Sequence, residues 1–129
     1  MANRMTEYEM EKLRDEANDL IIFKDDFKGA MEKFKILLEH GDERAALDLA
    51  DCCYCRGEYE EAMAWADKAD CTELDPQQDG YLCFVLGDIY NENGQFEKAR
   101  KWAELAVEAK EPQSEELLEA VLEELALQE

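Results

Sequence analysis

GEYEEAMAWADKA, at residues Gly57–Ala69, returns 37 residues later as GQFEKARKWAELA, at residues Gly94–Ala106. Six of the thirteen positions are identical in the two stretches. Self-similarity at a fixed period of this order is typical of stacked arrays of short structural units. Each unit in such an array buries an apolar face against its neighbour. The repetition therefore indicates the fold more directly than it indicates a function.

Bulk composition predicts one folded, acidic domain. The chain has 129 residues, about the size of an ordinary domain, and 47% of them are apolar, which is too many for a disordered acidic tail. The 34 acidic residues outnumber the 14 basic ones and give a formal charge of -20. Such a surface repels nucleic acid and anionic membranes, so neither is expected as a direct partner. Basic protein partners remain compatible with it.

The cysteines and the amino-terminal sequence predict a cytoplasmic protein. The five cysteines are an odd number and lack the spacing of a small disulfide scaffold, which favours a reducing compartment. The first residues contain no apolar core of signal-peptide length. No apolar run reaches the roughly 18 residues that a membrane span needs.

Apolar residues recur at helical spacing along the whole chain, and no stretch alternates like a strand. Thr6 and Glu9 form a capping-box pattern that starts the first helix near Glu7. Gly41 favours the end of the second helix, and Asp42 is expected to cap the third. The remaining predicted helices cover residues 46–56, 59–70, 78–92, 96–110 and 114–128. The pattern predicts an all-α fold of about seven helices.

These residues resemble the tetratricopeptide repeats, which have a 34-residue unit. Units that start near Glu11, Glu43 and Gly80 place similar residues at the key packing positions. The matching residues are Ala17, Leu49 and Leu86 at position seven, Asn18, Ala50 and Gly87 at position eight, Phe27, Tyr59 and Phe96 at the start of the second helix, Ala30, Ala62 and Ala99 at position twenty, and Leu37, Ala69 and Ala106 at position twenty-seven. Small residues at some of these positions let antiparallel helices pack closely.

The resemblance implies an α-solenoid of three antiparallel helix-hairpin repeats, at residues 7–41, 42–77 and 78–112, followed by a capping helix at residues 114–128. We expect one domain over residues 1–129. The family's Trp at position four is replaced by Arg14, Ala46 and Cys83. The first unit also has Asn18 and Leu37 where small residues are usual, so it fits the family least well. The seven Glu between residues 111 and 129 are expected to solvate the cap.

No pattern in the sequence predicts catalysis, a metal or a cofactor. His40 is the only histidine and falls at a helix end. Cys52, Cys53 and Cys55 are candidate zinc ligands, but paired CxxC knuckles are absent and burial in the core is the alternative that we favour. A calcium loop near Asn91 is rejected, because the first and twelfth ligand positions are Ile89 and Arg100. Trp65 and Trp102 share one repeat position and serve either as ligand anchors or, in the reading that we favour, in packing between units.

The family resemblance implies a concave groove lined by the first helix of each unit. Position nine is aspartate in all three units, at Asp19, Asp51 and Asp88, and aromatic residues flank this column. Such a groove suits a Lys- or Arg-containing segment, while an acidic face that only interacts with solvent is the alternative. The predicted groove residues are Asp15, Glu16, Asp19, Phe23, Leu47, Asp48, Asp51, Tyr54, Cys55, Tyr81, Phe84, Asp88, Asn91 and Glu92.

Two functions are compatible with these residues, and binding of an acidic peptide is not one of them. Family members that bind acidic chaperone tails use Lys and Asn at positions five and nine, whereas those positions hold Asp15, Leu47, Phe84 and the three aspartates here. The first hypothesis is a non-catalytic adaptor or chaperone-like module that binds a basic or amphipathic protein segment in the groove. The second is an acidic inhibitor, of the antitoxin, immunity or anti-defence kind, that covers the nucleic-acid-binding surface of an enzyme. A homodimer through the first repeat is also compatible with the sequence.

Overall fold

The computed structural model of the protein describes residues 4–72 and 74–128, and residues 1–3, 73 and 129 of the predicted domain lie outside this part. The described residues form seven helices and no strand, as predicted. None of these helices is long and apolar enough to cross a membrane. The helices are α1 (Glu7–Lys24), α2 (Phe27–Glu39), α3 (Ala45–Cys55), α4 (Tyr59–Lys68), α5 (Pro76–Glu92), α6 (Phe96–Glu108) and α7 (Ser114–Leu127).

Three helical hairpins, α1/α2, α3/α4 and α5/α6, are stacked in chain order, and α7 packs on α6 and α5. The second helix of each hairpin begins at the predicted aromatic residue, Phe27, Tyr59 or Phe96. The turns before α4 and α6 contain Gly57 and Gly94 at φ 76° and 74°, a left-handed conformation in which a side chain is strained. Local sequence therefore sets where each hairpin turns.

The core lies along the interior of the stack, where each hairpin closes on small residues. Ala30, Ala62 and Ala99 are fully buried at equivalent points of α2, α4 and α6. Gly87 allows a still closer approach, because a Cβ built at this position would lie 3.2 Å from the backbone nitrogen of Ala103 and 3.1 Å from the Leu117 side chain. Small residues thus determine how closely α5, α6 and α7 pack.

The helix ends confirm one predicted cap and overturn another. Thr6 and Glu9 form the reciprocal capping box of α1, with bonds of 3.1 and 3.2 Å. The prediction that Asp42 caps α3 is wrong, since α3 begins at Ala45 and has no side-chain cap. The carboxylate of Asp42 instead accepts a hydrogen bond from Arg14 at 2.6 Å. Asp42 therefore binds an arginine of the first hairpin and does not cap α3.

Several other helix ends differ from the prediction by one or two residues. Helix α4 ends at Lys68 because Ala69 is extended, with ψ at 144°. Helix α5 begins at Pro76, two residues early, because the Asp75 side chain accepts a hydrogen bond from the backbone of Gln77 at 3.0 Å. Helix α6 ends at Glu108, since Lys110 has a left-handed φ of 60°.

The first hairpin is held differently from the others. Helix α1 packs on α2 but makes no close backbone contact with α3 within the described residues, whereas α3 packs on α5 and α5 on α7. Asn18 stands at the position where Ala50 and Gly87 permit close packing, and it is exposed. Arg14 spans the resulting gap by donating hydrogen bonds to Asp42 and Asp48. An ion-pair bridge therefore links α1 to α3 where the other first helices pack directly.

Candidate partner-binding surface

Helices α1, α3 and α5 carry the predicted groove residues, which differ widely in exposure. Asp15, Glu16, Asp19, Cys55 and Glu92 are exposed, as are Phe23 at 77% and Tyr81 at 47%. The residues that are partly buried are Asp48, Asp51, Tyr54, Phe84, Asp88 and Asn91.

Leu47 requires a correction. Only 4% of its surface is exposed, and its side chain belongs to the hydrophobic core. The family resemblance implied that Leu47 lies on the groove face, but neighbouring helices in the stack cover more of the circumference of α3 than the family positions indicate. Leu47 therefore does not belong to the candidate surface.

Two tyrosine–aspartate hydrogen bonds connect α3 and α5 in a reciprocal arrangement. Tyr54 of α3 donates to the carboxylate of Asp88 of α5. Tyr81 of α5 donates to the carboxylate of Asp51 of α3 at 3.0 Å. Each helix thus supplies one donor and one acceptor. The two bonds fix the orientation of Asp51 and Asp88, which are the position-nine aspartates of the second and third hairpins. We call these four residues the Tyr–Asp pairs.

Burial and neighbouring charges shift the pKa values of Asp51, Tyr54 and Tyr81. Burial raises the pKa of Asp51 by more than the hydrogen bond from Tyr81 lowers it. Burial and the neighbouring Asp88 raise the pKa of Tyr54, and burial and Asp51 raise that of Tyr81. The phenols therefore remain protonated donors at neutral pH. No ion pair among the described residues involves Asp51 or Asp88, so their negative charge is not neutralised locally.

The environment of Asp48 differs from that of Asp51 and Asp88 in a way that the sequence did not predict. Asp48 forms an ion pair with Arg14, which also pairs with Asp42. Burial raises the pKa of Asp48 by more than Arg14 lowers it. The one sequence signal for this ion pair is that Arg14 replaces the Trp usual at position four of the repeat. A second arginine, Arg44, pairs with Asp79 of the next hairpin at 3.0 Å.

The acidic residues of α1 form a separate part of the surface. A shallow depression of about 280 Å³ lies between α1 and α2. Two acidic residues and two lysines line this depression. The amine of Lys33 lies 3.4 Å from a carboxylate oxygen of Glu16. Asp19 is therefore next to cations, unlike Asp51 and Asp88. The lining residues are Glu16, Asp19, Leu20, Phe23, Lys24 and Lys33.

Comparison with protein families explains the hairpin stack. Two tetratricopeptide-repeat models match the chain, one over residues 24–79 and the other over residues 81–113. The chain belongs to the tetratricopeptide repeat family. No curated protein matches it. Tetratricopeptide repeats are generally non-catalytic scaffolds that bind other proteins, so this chain is a protein–protein interaction module.

The matches begin at Lys24, the last residue of α1, and leave the rest of α1, the first helix of the first tetratricopeptide unit, unmatched. This agrees with the expectation that the first unit fits the family least well. Its substitution of Asn18 for a small residue accompanies the missing backbone contact between α1 and α3. The family pattern is therefore strongest in the two hairpins that contain the Tyr–Asp pairs.

One groove residue of the tetratricopeptide repeats has an unsatisfied polar atom. The side-chain oxygen of Asn91, on α5, is buried and has no hydrogen-bond partner among the described residues. Asn91 is one turn beyond Asp88 on the same helix. A buried acceptor without a donor costs about 1–3 kcal/mol. A donor supplied near Asn91 would therefore be stabilising.

The remaining sulfur and indole groups pack mainly within the repeats. All five cysteines are free thiols. Cys52 and Cys53 are buried, as we favoured, but burial was wrong for Cys55, which is exposed; Cys83 is also buried. Potential ligand atoms of Cys53, Glu58 and Glu61 lie within 4.8 Å of one another, but Glu58 also pairs with Arg56 at 3.1 Å.

The two equivalent tryptophans differ in exposure. Trp102 is buried, in agreement with a packing role, whereas Trp65 is half-buried. The amine of Lys68 lies 4.9 Å from the centre of the Trp65 ring. This contact places a cation over the ring face that a ligand would otherwise approach.

Proposed function

We propose that this tetratricopeptide protein is a non-catalytic adaptor or chaperone-like module that binds a positively charged or amphipathic protein segment along α3 and α5, with α1 at the edge of the site. The observation that carries the proposal is the pair of carboxylates at Asp51 and Asp88. Both are fixed by tyrosines of the neighbouring hairpin, and neither has a cationic partner among the described residues.

The chemistry of the Tyr–Asp pairs favours a cation as ligand. A phenol O–H satisfies one lone pair of a carboxylate and leaves its negative charge in place. Burial already penalises the charged form of Asp51, as its raised pKa indicates. A guanidinium or ammonium group would offset that penalty, and arginine would match the carboxylate plane with two parallel hydrogen bonds.

Neighbouring side chains support an amphipathic segment rather than a simple polycation. Tyr81 is 47% exposed, and Phe84 on the same helix is partly exposed, so both present apolar surface beside the carboxylates. Apolar anchors between charged contacts are a common mode of peptide recognition.

The proposal is tested with two variants of equal charge. The groove variant replaces Asp19, Asp51 and Asp88 with Asn. At positions 51 and 88 the Asn side chain retains an acceptor oxygen for Tyr81 and Tyr54. The control variant replaces Glu32 and Glu39 of α2 and Glu60 of α4 with Gln, which removes the same charge from exposed positions outside the candidate surface. The probe is a fluorescein-labelled peptide of alternating arginine and leucine, with a glutamate–leucine peptide as its counterpart, and binding is measured by fluorescence anisotropy.

We expect the arginine peptide to bind and the glutamate peptide not to bind. The groove variant should weaken binding at least about tenfold, because each desolvated charge-assisted bond contributes about 1.5–3 kcal/mol. The control should retain the wild-type affinity. Equal weakening by both variants would show binding by diffuse charge, which is the mode expected of the acidic inhibitor, and steep salt dependence would accompany it. No effect of either variant would place the site elsewhere.

A further inference from the structure

Helix α7 repeats the sequence of α5 in the same register. PQQDGYLCFVLGDIYNE, residues 76–92, aligns without gaps on PQSEELLEAVLEELALQ, residues 112–128. Five of the seventeen positions are identical, including a Pro-Gln pair that starts α5 but precedes α7, and the pairs Val85/Val121 and Leu86/Leu122. Helix α7 is therefore equivalent to the first helix of a fourth hairpin.

The equivalent residues of α5 and α7 differ in burial. Leu86, Ile89 and Tyr90 of α5 are almost completely buried, because α5 lies between α4 and its own hairpin partner α6. Their counterparts on α7 are less covered: Leu122 is 45% exposed, Leu125 is half-buried and Ala126 is exposed. The apolar pattern of a paired helix is thus present on α7, while no helix follows it within the described residues.

A groove lies between α6 and α7 at this unpaired face. It is a depression of about 330 Å³, and we call it the α6/α7 groove. The expectation that Glu residues solvate the cap is only partly met, because the glutamates of α7 flank this apolar surface and do not cover it. The lining residues are Glu97, Arg100, Leu122, Leu125, Ala126 and Gln128.

We propose that the α6/α7 groove binds an amphipathic α-helix of a partner protein, with basic residues flanking its apolar stripe. This surface is distinct from that of the proposed function, since none of its lining residues belongs to the Tyr–Asp pairs. The bound helix would take the place relative to α7 that α6 takes relative to α5. It would complete a fourth hairpin.

The form of the occupant follows from the three existing hairpins. In each, the first helix is covered by an antiparallel helix, α2, α4 or α6. Each covering helix brings a fully buried alanine, Ala30, Ala62 or Ala99, to the close approach. A helix also satisfies its own backbone hydrogen bonds, so it covers an apolar groove without burying unpaired amides. The partner helix should therefore carry a small residue in the centre of its apolar stripe.

The charge of the occupant follows from α7 and α6. The segment Ser114–Leu127 contains five Glu and no Lys or Arg. The one cation among the lining residues, Arg100, already pairs with Glu104 at 2.8 Å. An acidic helix would be repelled by this rim, and a basic one would gain favourable contacts at its flanks. Charge complementarity thus selects a basic amphipathic helix.

The test uses the chain's own covering helix as probe. A synthetic peptide of residues 95–110, QFEKARKWAELAVEAK, is the helix that covers α5, and it carries four basic and three acidic residues. It is titrated into the ¹⁵N-labelled full chain, and amide shifts are followed by NMR. A second peptide has the residues corresponding to Lys98, Arg100 and Lys101 replaced with Glu. We expect saturable shifts confined to α6 and α7 with the first peptide and none with the second.

Two variants of the full chain localise the contact. Leu122→Gln with Leu125→Gln removes both leucines that line the groove and should weaken binding of the peptide at least about tenfold, because burial of apolar side chains would drive the association. Leu127→Gln with Ala120→Gln changes two exposed positions of the same helix that do not line the groove, and should leave affinity unchanged. The shift map of the wild-type chain provides a readout even if the first variant folds poorly.

Three outcomes would overturn the proposal. The first is the absence of saturable binding. The second is a shift map that extends over α5, which would show that the peptide displaces α6. The third is self-association in sedimentation that Leu122→Gln with Leu125→Gln abolishes, which would identify a second copy of this chain as the occupant.

Discussion

Tyr54 on α3 donates its hydroxyl hydrogen to Asp88 on α5, 34 residues further along the chain. Tyr81 on α5 donates to Asp51 on α3 in return. These bonds stabilise the packing of consecutive hairpins, and they leave two negative charges on the surface that the hairpins form. The same four residues thus contribute to stability and to the candidate binding site.

Replacing Tyr54 with Phe should destabilise the fold by about 1 kcal/mol, which is below the range of about 1.5–3 kcal/mol for hydrogen bonds to charged groups because the pair is partly exposed. Urea unfolding followed by circular dichroism measures the change. Tyr8→Phe is the matched control, since Tyr8 is 74% exposed. If both variants unfold at the same urea concentration as the wild type, the Tyr54–Asp88 bond contributes nothing to stability.

The stability of an Asp51→Asn variant should depend on pH in a direction set by the raised pKa of Asp51. Folding raises the pKa of the Asp51 carboxyl above its ordinary value of 3.8. The ionised carboxylate therefore lowers the free energy of unfolding at neutral pH, and this loss disappears as the pH falls and the carboxyl becomes protonated. The variant should therefore gain stability relative to the wild type at pH 7, and the gain should shrink on acidification. Unfolding free energies at several pH values test this.

Asp70→Asn provides a control of opposite sign. Hydrogen bonds from Thr72 lower the pKa of Asp70, so its ionised form contributes stability above its ordinary pKa, which is lost as pH falls through the folded value. This variant should be less stable than the wild type at pH 7, and the difference should diminish in acid. Parallel pH profiles for the two variants would contradict both assignments.

The sequence predicted the hairpin stack well because the features that form it are local. A 3.6-residue periodicity, a capping box at Thr6 and an aromatic residue at the start of α2, α4 and α6 all act within a few residues of chain. The buried alanines follow from the same register. These features predicted seven helices and the pairing of the first six.

The errors arose where residues distant in sequence interact. Asp42 has the sequence of a helix cap, but Arg14 lies 28 residues before it and binds its side chain. Leu47 occupies a position that lines the groove in the family, but it is buried by its neighbours in the stack. Likewise, the glutamates of α7 predicted a solvated cap, but exposure of Leu122 depends on whether another helix covers it. Local patterns contain none of this information.

Enlarging Ala62 or Ala99 to Leu should destabilise the protein by roughly 1–3 kcal/mol, because both are fully buried where hairpin helices approach and added carbons would overpack the site. Ala120→Leu adds the same atoms to an exposed position of α7 and should leave the melting temperature nearly unchanged. Thermal unfolding of the three variants measures the difference. Wild-type melting of the Ala62 and Ala99 variants would mean that the repeat register is wrong.

The five thiols should react with iodoacetamide in an order set by exposure and pKa. Burial raises the pKa of Cys52 to about 12 and those of Cys53 and Cys83 to about 11. Cys55 is exposed, and Cys71 is half-buried. Because the thiolate is the reactive form, Cys55 should be alkylated first, then Cys71, and the other three only as the protein unfolds. Peptide mass spectrometry after timed quenching reads this order, and early labelling of Cys52 would contradict it.

Replacing Arg14 with Met should break the link between α1 and α3. Arg14 bridges Asp42 and Asp48 across the gap between α1 and α3, and its guanidinium lies 5.7 Å from the centre of the Phe34 ring. Met retains apolar contact with Phe34 but leaves Asp48 partly buried without its cation. Breaking a fully buried pair costs about 3–5 kcal/mol, and both groups are about a quarter exposed, so we expect a loss of roughly 1–3 kcal/mol.

The loss in the Arg14→Met protein should be local, because α1 has no close backbone contact with α3 to replace the bridge. Hydrogen exchange should show reduced protection in α1, with smaller changes in α5 and α6. Adding Asp48→Asn should recover part of the stability by removing the unpaired charge, which distinguishes the ion pair from a simple loss of packing. If exchange accelerates equally in all helices, or if Asp48→Asn restores nothing, then Arg14 stabilises the core as a whole and does not act as the link between α1 and α3.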